Sequence, residues 1–100
     1  MAESVELVVT RRAEDDFRAI WRTIARHSER AADPLLLRLD QRMQLLRRSP
    51  EMYVTRDDIR PGLRMLVEGN YLLLYEYHRR EAIVEIVAVV DGRRDLFEMF

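Results

Sequence analysis

Three groups of residues in this 100-residue chain could do chemistry. Arg64 sits in a strand-like run with Leu63, Met65 and Val67 at the alternate positions, so it projects from the opposite face. A guanidinium there could take a phosphate or a partner's carboxylate, or close an internal ion pair with Glu76, Glu85, Asp57 or Asp58. Arg93-Arg94-Asp95 follows the last strand-like run and is either a surface salt-bridge cluster of little energetic weight or an exposed recognition edge. Tyr71, Tyr75 and Tyr77 share one parity with Leu73, as half-buried sheet residues do and as a base-stacking platform would.

Other chemistries find less support. His27 and His78 are the only histidines, and no second histidine or carboxylate stands at metal spacing with either on one element, so no metal site is expected. A general-acid role for His78 stays open, although Arg79 and Arg80 beside it point to an exposed loop. The sequence has no Gly-rich phosphate loop and no Ser/His/Asp motif, and no cofactor is expected. All the basic residues are arginine, which excludes a lysine acid, Schiff base or P-loop cation. The lack of cysteine excludes disulfides, thiolate metal sites and thiol nucleophiles, and fits a cytoplasmic location.

These residues need elements to position them. A chain of this length, 48% apolar, is expected to form one domain over residues 1–100 with a single modest core. Charged residues make up 35%, yet the net charge is only −1, which argues against a general polyanion binder. No signal peptide or membrane span is expected. Ser4 to Val9 reads as a strand with Val5, Leu7 and Val9 on one face. Thr10 offers an N-cap to a first helix over about Arg11 to His27, whose stripe is Ala13, Phe17, Ile20, Trp21 and Ile24. A second helix carries Ala32, Leu35, Leu36, Leu39, Met43 and Leu46, starting either at an Asp33 N-cap before Pro34 or a turn earlier near Glu29, and ending at Pro50. The short connection between them makes an antiparallel hairpin.

Glu51 to Arg60 reads as a connector in which Met52 to Val54 makes a short strand or simply packs. Three strands follow: Leu63 to Glu68, Tyr71 to His78 across a Gly69-Asn70 turn, and Ile83 to Val90. The last is apolar on both faces, which places it inside the sheet. Arg94 to Phe100 makes one or two helical turns or a tail, and its Phe97, Met99 and Phe100 must dock on the chain's own core or be covered by something else. The order β-α-α-β-β-β implies an α+β fold, an antiparallel sheet with the helical hairpin packed on one face.

Several short patterns, weak singly, occur together in order. They are Ala13-Glu14-Asp15-Asp16-Phe17 at the start of helix 1, Ala32, Leu39 and Leu46-Arg47-Arg48-Ser49-Pro50 in helix 2, Asp58-Ile59-Arg60-Pro61-Gly62-Leu63-Arg64, Gly69-Asn70-Tyr71-Leu72-Leu73-Leu74-Tyr75, and Gly92-Arg93-Arg94-Asp95. In this order they resemble the ParE-type toxins of the RelE/ParE superfamily of type II toxin–antitoxin modules. The chain departs from that pattern in two places: relatives often have a glycine soon after the proline that ends helix 2, and a histidine where this chain has Asp91.

The resemblance implies a cytoplasmic bacterial toxin, neutralised by a cognate ParD-like antitoxin that wraps the hairpin and sheet. Phe17, Trp21, Leu36, Tyr71 and Tyr75 are then candidates to meet the antitoxin, although Phe17 and Trp21 also read as core. Two activities are implied: ParE members poison DNA gyrase, and RelE members cut messenger RNA on the ribosome. Arg64 matches an arginine shared by both branches. The nuclease set is otherwise missing, with no lysine and no Tyr or His in the tail Leu96-Phe97-Glu98-Met99-Phe100. That favours a gyrase-binding protein without catalysis or sequence-specific nucleic-acid binding. Its target-facing candidates are Arg64, Arg93, Arg94, Asp95, Phe97 and Phe100. A ribosomal nuclease using Arg64 and a non-toxic antitoxin-binding homologue are the alternatives.

Overall fold

The computed structural model describes residues 5–93. The elements are β1 (Glu6–Val9), α1 (Arg11–Ala25), α2 (Glu29–Leu46), β2 (Leu63–Glu68), β3 (Tyr71–His78) and β4 (Ile83–Asp91). Thr10 turns strand into helix. Its backbone is extended and its hydroxyl accepts from the Ala13 N–H at 3.1 Å, filling one of the donors a helix start leaves open. The same hydroxyl donates to the Val87 carbonyl at 3.0 Å, so one side chain both starts α1 and docks it on the sheet.

One helix boundary falls short of the sequence pattern, and at another the structure takes one of two starts the pattern left open. α1 stops at Ala25 because the His27 and Ser28 N–H groups both turn back to the Ile24 carbonyl, closing the helix before His27. α2 takes the earlier of its two starts, at Glu29, and Asp33 is not its N-cap. Pro34 therefore lies inside the helix, past the residues whose N–H would have no partner, and costs a backbone hydrogen bond there. Packing outweighs that cost. Ala32 is fully buried, with Leu35, Leu39, Met43 and Leu46 below it facing the sheet, and Asp33 instead accepts a hydrogen bond from Trp21 Nε1 at 2.9 Å, tying α2 to α1.

The sheet runs in the order β1-β4-β3-β2. The three C-terminal strands form the expected antiparallel meander, and β4 lies inside the sheet. β1 adds one parallel pairing, Glu6 to Val9 along Ile83 to Ile86, so the sheet is mixed but mostly antiparallel. Gly69 takes the positive φ of 59° that the β2–β3 turn requires. A bulge sits in β4: Leu74 faces Ala88 whereas Tyr75 faces Ile86, leaving Val87 as the extra residue. It reverses the parity of the strand. Val84 and Ile86 before it, and Val89 after it, face the helices; Ala88 and Val90 join Leu63 and Leu74 on the far face.

β1 ends before the bulge, and α1 takes over the outer edge of β4. Beside Thr10 on the Val87 carbonyl, the Asp16 carboxylate accepts from the Val89 N–H at 3.0 Å. The main core fills the space between hairpin and sheet, and a second, smaller cluster lies on the other face, with Ile59 of the connector packed against it.

Candidate functional site

Arg64 and Tyr75 are register partners on β2 and β3, on the face toward the helices. Both reach the connector that leaves α2. The Tyr75 hydroxyl donates to the Pro50 carbonyl at 3.1 Å, and Arg64 Nη1 donates to the Tyr53 carbonyl and, at 3.4 Å, to that of Glu51. Arg42 of α2 completes the clasp: it donates to the Tyr53 hydroxyl, lies 5.6 Å from the Tyr53 ring centre, and bonds Glu68 at 3.2 Å. Arg64 thus makes none of the ion pairs its sequence context offered. Glu76 is held by Arg60 at 2.6 Å, Asp58 by Arg56 at 2.9 Å, and Asp57 accepts from the Gly62 N–H at 2.7 Å. The connector makes a single bridge, Thr55 opposite Arg64, rather than a strand.

Tyr75 is fully buried, so it offers no surface to an antitoxin while the core is intact. Burial raises its phenol above the usual value near 10, against smaller opposing pulls from a hydrogen bond at Tyr53 and the Arg64 charge. The folded chain therefore keeps this proton to higher pH than the unfolded chain does. The contribution to stability is intact below about pH 10 and disappears as pH rises through the raised value. Alkaline titration followed at the phenolate absorbance should show one of the four tyrosines ionising late, together with loss of structure, and Tyr75→Phe should remove that step. A Tyr75 that ionises with the others in the folded protein would mean its pocket is open to water.

The hairpin carries a different kind of site. Phe17, Trp21 and Leu36, together with Arg18 and Arg22, line a shallow hollow of about 330 Å³. All three apolar residues are only half-buried, though they sit on the edge of the helical stripes. Tyr71 lies elsewhere, in a smaller hollow of about 200 Å³ between α1 and the end of β4, where Asp16, Val89 and Asp91 also contribute. The structure thus brings together three of the five antitoxin-facing candidates and separates Tyr71 and Tyr75 from them.

Arg93 is exposed and folds back on Asp91 through side-chain bonds of 3.0 and 2.6 Å and a backbone bond of 2.9 Å, the surface-cluster arrangement. Arg94, Asp95, Phe97 and Phe100 lie outside the described residues. Two groupings escaped the sequence reading. Asp16 reads there as an acid at a helix start but works as a cap for a strand 73 positions away. Glu76 and His78 are two apart on one strand and so share a face, and Glu85 stands directly across from Glu76 on β4, which corrects the expectation that no carboxylate lies at ligand spacing from His78. The Glu-x-His spacing on a strand was the available signal.

No curated protein matches the sequence at a significant level. Among solved structures, one described as the chromosomal ParDE TA system from P. aeruginosa superimposes with a TM-score of 0.73. It is 16% identical, and the match covers 90% of this chain and 98% of that one; at such identity the likeness concerns the fold. Residues 7–96 match the sequence profile of the ParE toxin of the type II toxin–antitoxin system, parDE. That span runs from β1 past β4 and takes in the hairpin, the clasped connector and the bulged sheet, and so this chain belongs to the ParE toxin family.

Proposed function

We propose that the chain is a cytoplasmic toxin that binds DNA gyrase without catalysis of its own, and that a ParD-like antitoxin neutralises it by laying an acidic amphipathic segment along the Phe17–Trp21–Leu36 hollow. The observation that carries the gyrase reading is the engagement of Arg64. Its Nη1 donates to carbonyls of the chain's own connector, which ties this end of the guanidinium down beside Tyr53. A nuclease of this superfamily would need that arginine for substrate phosphate. The nearby tyrosines are committed too, Tyr75 to Pro50 and Tyr53 to Arg42, and His78 lies on the opposite face of the sheet. The antitoxin reading rests on the hollow, whose apolar floor is flanked by Arg18 and Arg22. Among the described residues Arg18 pairs with the exposed Asp15, a contact a partner's carboxylate can exchange at little cost.

Purified toxin added to gyrase and supercoiled DNA is expected to accumulate gyrase-dependent cleaved DNA, and its expression without antitoxin to arrest growth with a DNA-damage response. Intact gyrase activity at saturating toxin would overturn the reading. Codon-phased transcript cleavage lost in Arg64→Ala would replace it with the nuclease alternative. Normal growth with retained antitoxin binding would replace it with a non-toxic homologue.

A further inference from the structure

On the sheet face away from the helices, Glu76 of β3 and Glu85 of β4 stand directly opposite each other, with His78 two residues along β3. Like charges facing across a pair of strands destabilise the pairing. Part of that repulsion is relieved locally. Arg60 holds Glu76 Oε1 through bonds of 3.1 and 2.6 Å, which leaves Oε2 directed toward His78 Nε2 at 3.7 Å. Glu85 Oε1 lies 3.1 Å from the same nitrogen. One ligand atom from each of the three residues falls within 4.8 Å of the others.

We propose that Glu76, His78 and Glu85 form a divalent-cation site of the zinc type that bridges β3 and β4. Bonds of about 2.0–2.1 Å in tetrahedral geometry place ligand atoms roughly 3.3 Å apart. The two separations to His78 are already close to that, and rotation of a carboxylate closes the third. All three side chains are partly exposed, at 20%, 39% and 35%, so water can complete the coordination. One imidazole with two carboxylates suits a first-row divalent ion better than magnesium, which prefers oxygen ligands alone. Ligation uses a deprotonated His78 Nε2, with the ring hydrogen on Nδ1. The ion would neutralise the facing carboxylates and staple the strands just before the 79–82 turn. The site is separate from the hairpin hollow and independent of the proposed target.

The test is calorimetric titration of the untagged full chain with zinc chloride, with thermal unfolding in parallel. One ion per chain and a raised unfolding midpoint are expected. Affinity should fall at least about tenfold in His78→Ala and Glu85→Gln, as loss of even an outer-shell partner can cause, and should be unchanged in His27→Ala. Without metal, Glu85→Gln should be no less stable than the parent, since it removes one of two facing charges, so its loss of binding would not be a loss of fold. No heat and no midpoint shift with zinc, equal binding in His78→Ala and Glu85→Gln, or binding lost in His27→Ala would each overturn the proposal.

Discussion

Arg64→Ala is expected to destabilise the folded chain by about 1.5–3 kcal/mol, the range for a charged donor withdrawn from partly buried acceptors. In a domain of this size each kcal/mol lowers the unfolding midpoint by about 4–8 °C, so the change is easy to read in a thermal melt. The cause is local. The connector between α2 and β2 has little regular structure, and side chains from elsewhere hold it: Arg64 on the Tyr53 and Glu51 carbonyls, Tyr75 on Pro50, Arg42 on the Tyr53 hydroxyl, Arg79 on the Glu51 carboxylate and Glu76 on Arg60. Removing the first leaves two carbonyls without their donor and frees the backbone near Tyr53, so amide exchange should accelerate in the connector before it does in β3 or β4. Arg64→Lys should rescue only in part, because both bonds come from Nη1 at the far end of the guanidinium, farther along than the shorter lysine side chain carries its ammonium. Unchanged stability in Arg64→Ala would mean that the guanidinium is free for an external ligand.

This outcome bears on how toxicity data are interpreted. An arginine at this position invites the inference that loss of toxicity in its alanine variant reveals a catalytic or phosphate-binding role. A loss of 1–2 kcal/mol can by itself change a protein's abundance in the cell several-fold. Toxicity of Arg64→Ala therefore has to be compared at equal folded concentration, for example as gyrase-dependent cleavage by purified protein. If activity per folded molecule survives, Arg64 is a structural clasp.

What the sequence made legible follows from the range of the interactions. Local signals read well. Thr10 caps α1, Gly69 turns β2 into β3, and the two-faced apolar pattern of β4 places it inside the sheet. Long-range pairings did not announce themselves. The bulge at Val87 moves Val89 to the helix face, a shift of parity that no alternation count contains. Asp16 stands in the pattern at the start of helix 1 and Asp33 offers an N-cap, yet tertiary contacts give them other work, on the Val89 N–H and the Trp21 indole. The parity of Arg64 was legible, and with it the face on which it lies. Its acceptors were not, because backbone carbonyls leave no trace in a list of charged residues. Tyr75 shows the same limit: its parity with Tyr71 and Tyr77 grouped three tyrosines that burial then separates, one fully enclosed and two half-exposed.

Trp21→Ala is expected to weaken binding of the antitoxin by at least about 2 kcal/mol, roughly thirtyfold in Kd, the threshold for an interface hot spot. Aromatic anchors in a pocket carry such energies, and Trp21 with Phe17 and Leu36 forms the apolar floor of the hairpin hollow. The indole also donates to Asp33, so part of any effect could come through the fold. Asp33→Ala separates the two. It removes the same hydrogen bond but leaves the ring in place, and should cost the chain about 1 kcal/mol of stability with little change in affinity. Arg18 and Arg22 at the rim should act differently again. Reversing both to glutamate should slow association and invert its salt dependence, so that added salt now speeds encounter, while dissociation changes less, because rim charges steer encounters more than they hold complexes. Titrations of purified antitoxin into each variant, at low and high salt, distinguish these cases. Wild-type affinity in Trp21→Ala would move the antitoxin off the hairpin, to the Tyr71 hollow beside α1 or to the outer edge of β2 beyond the Thr55 bridge.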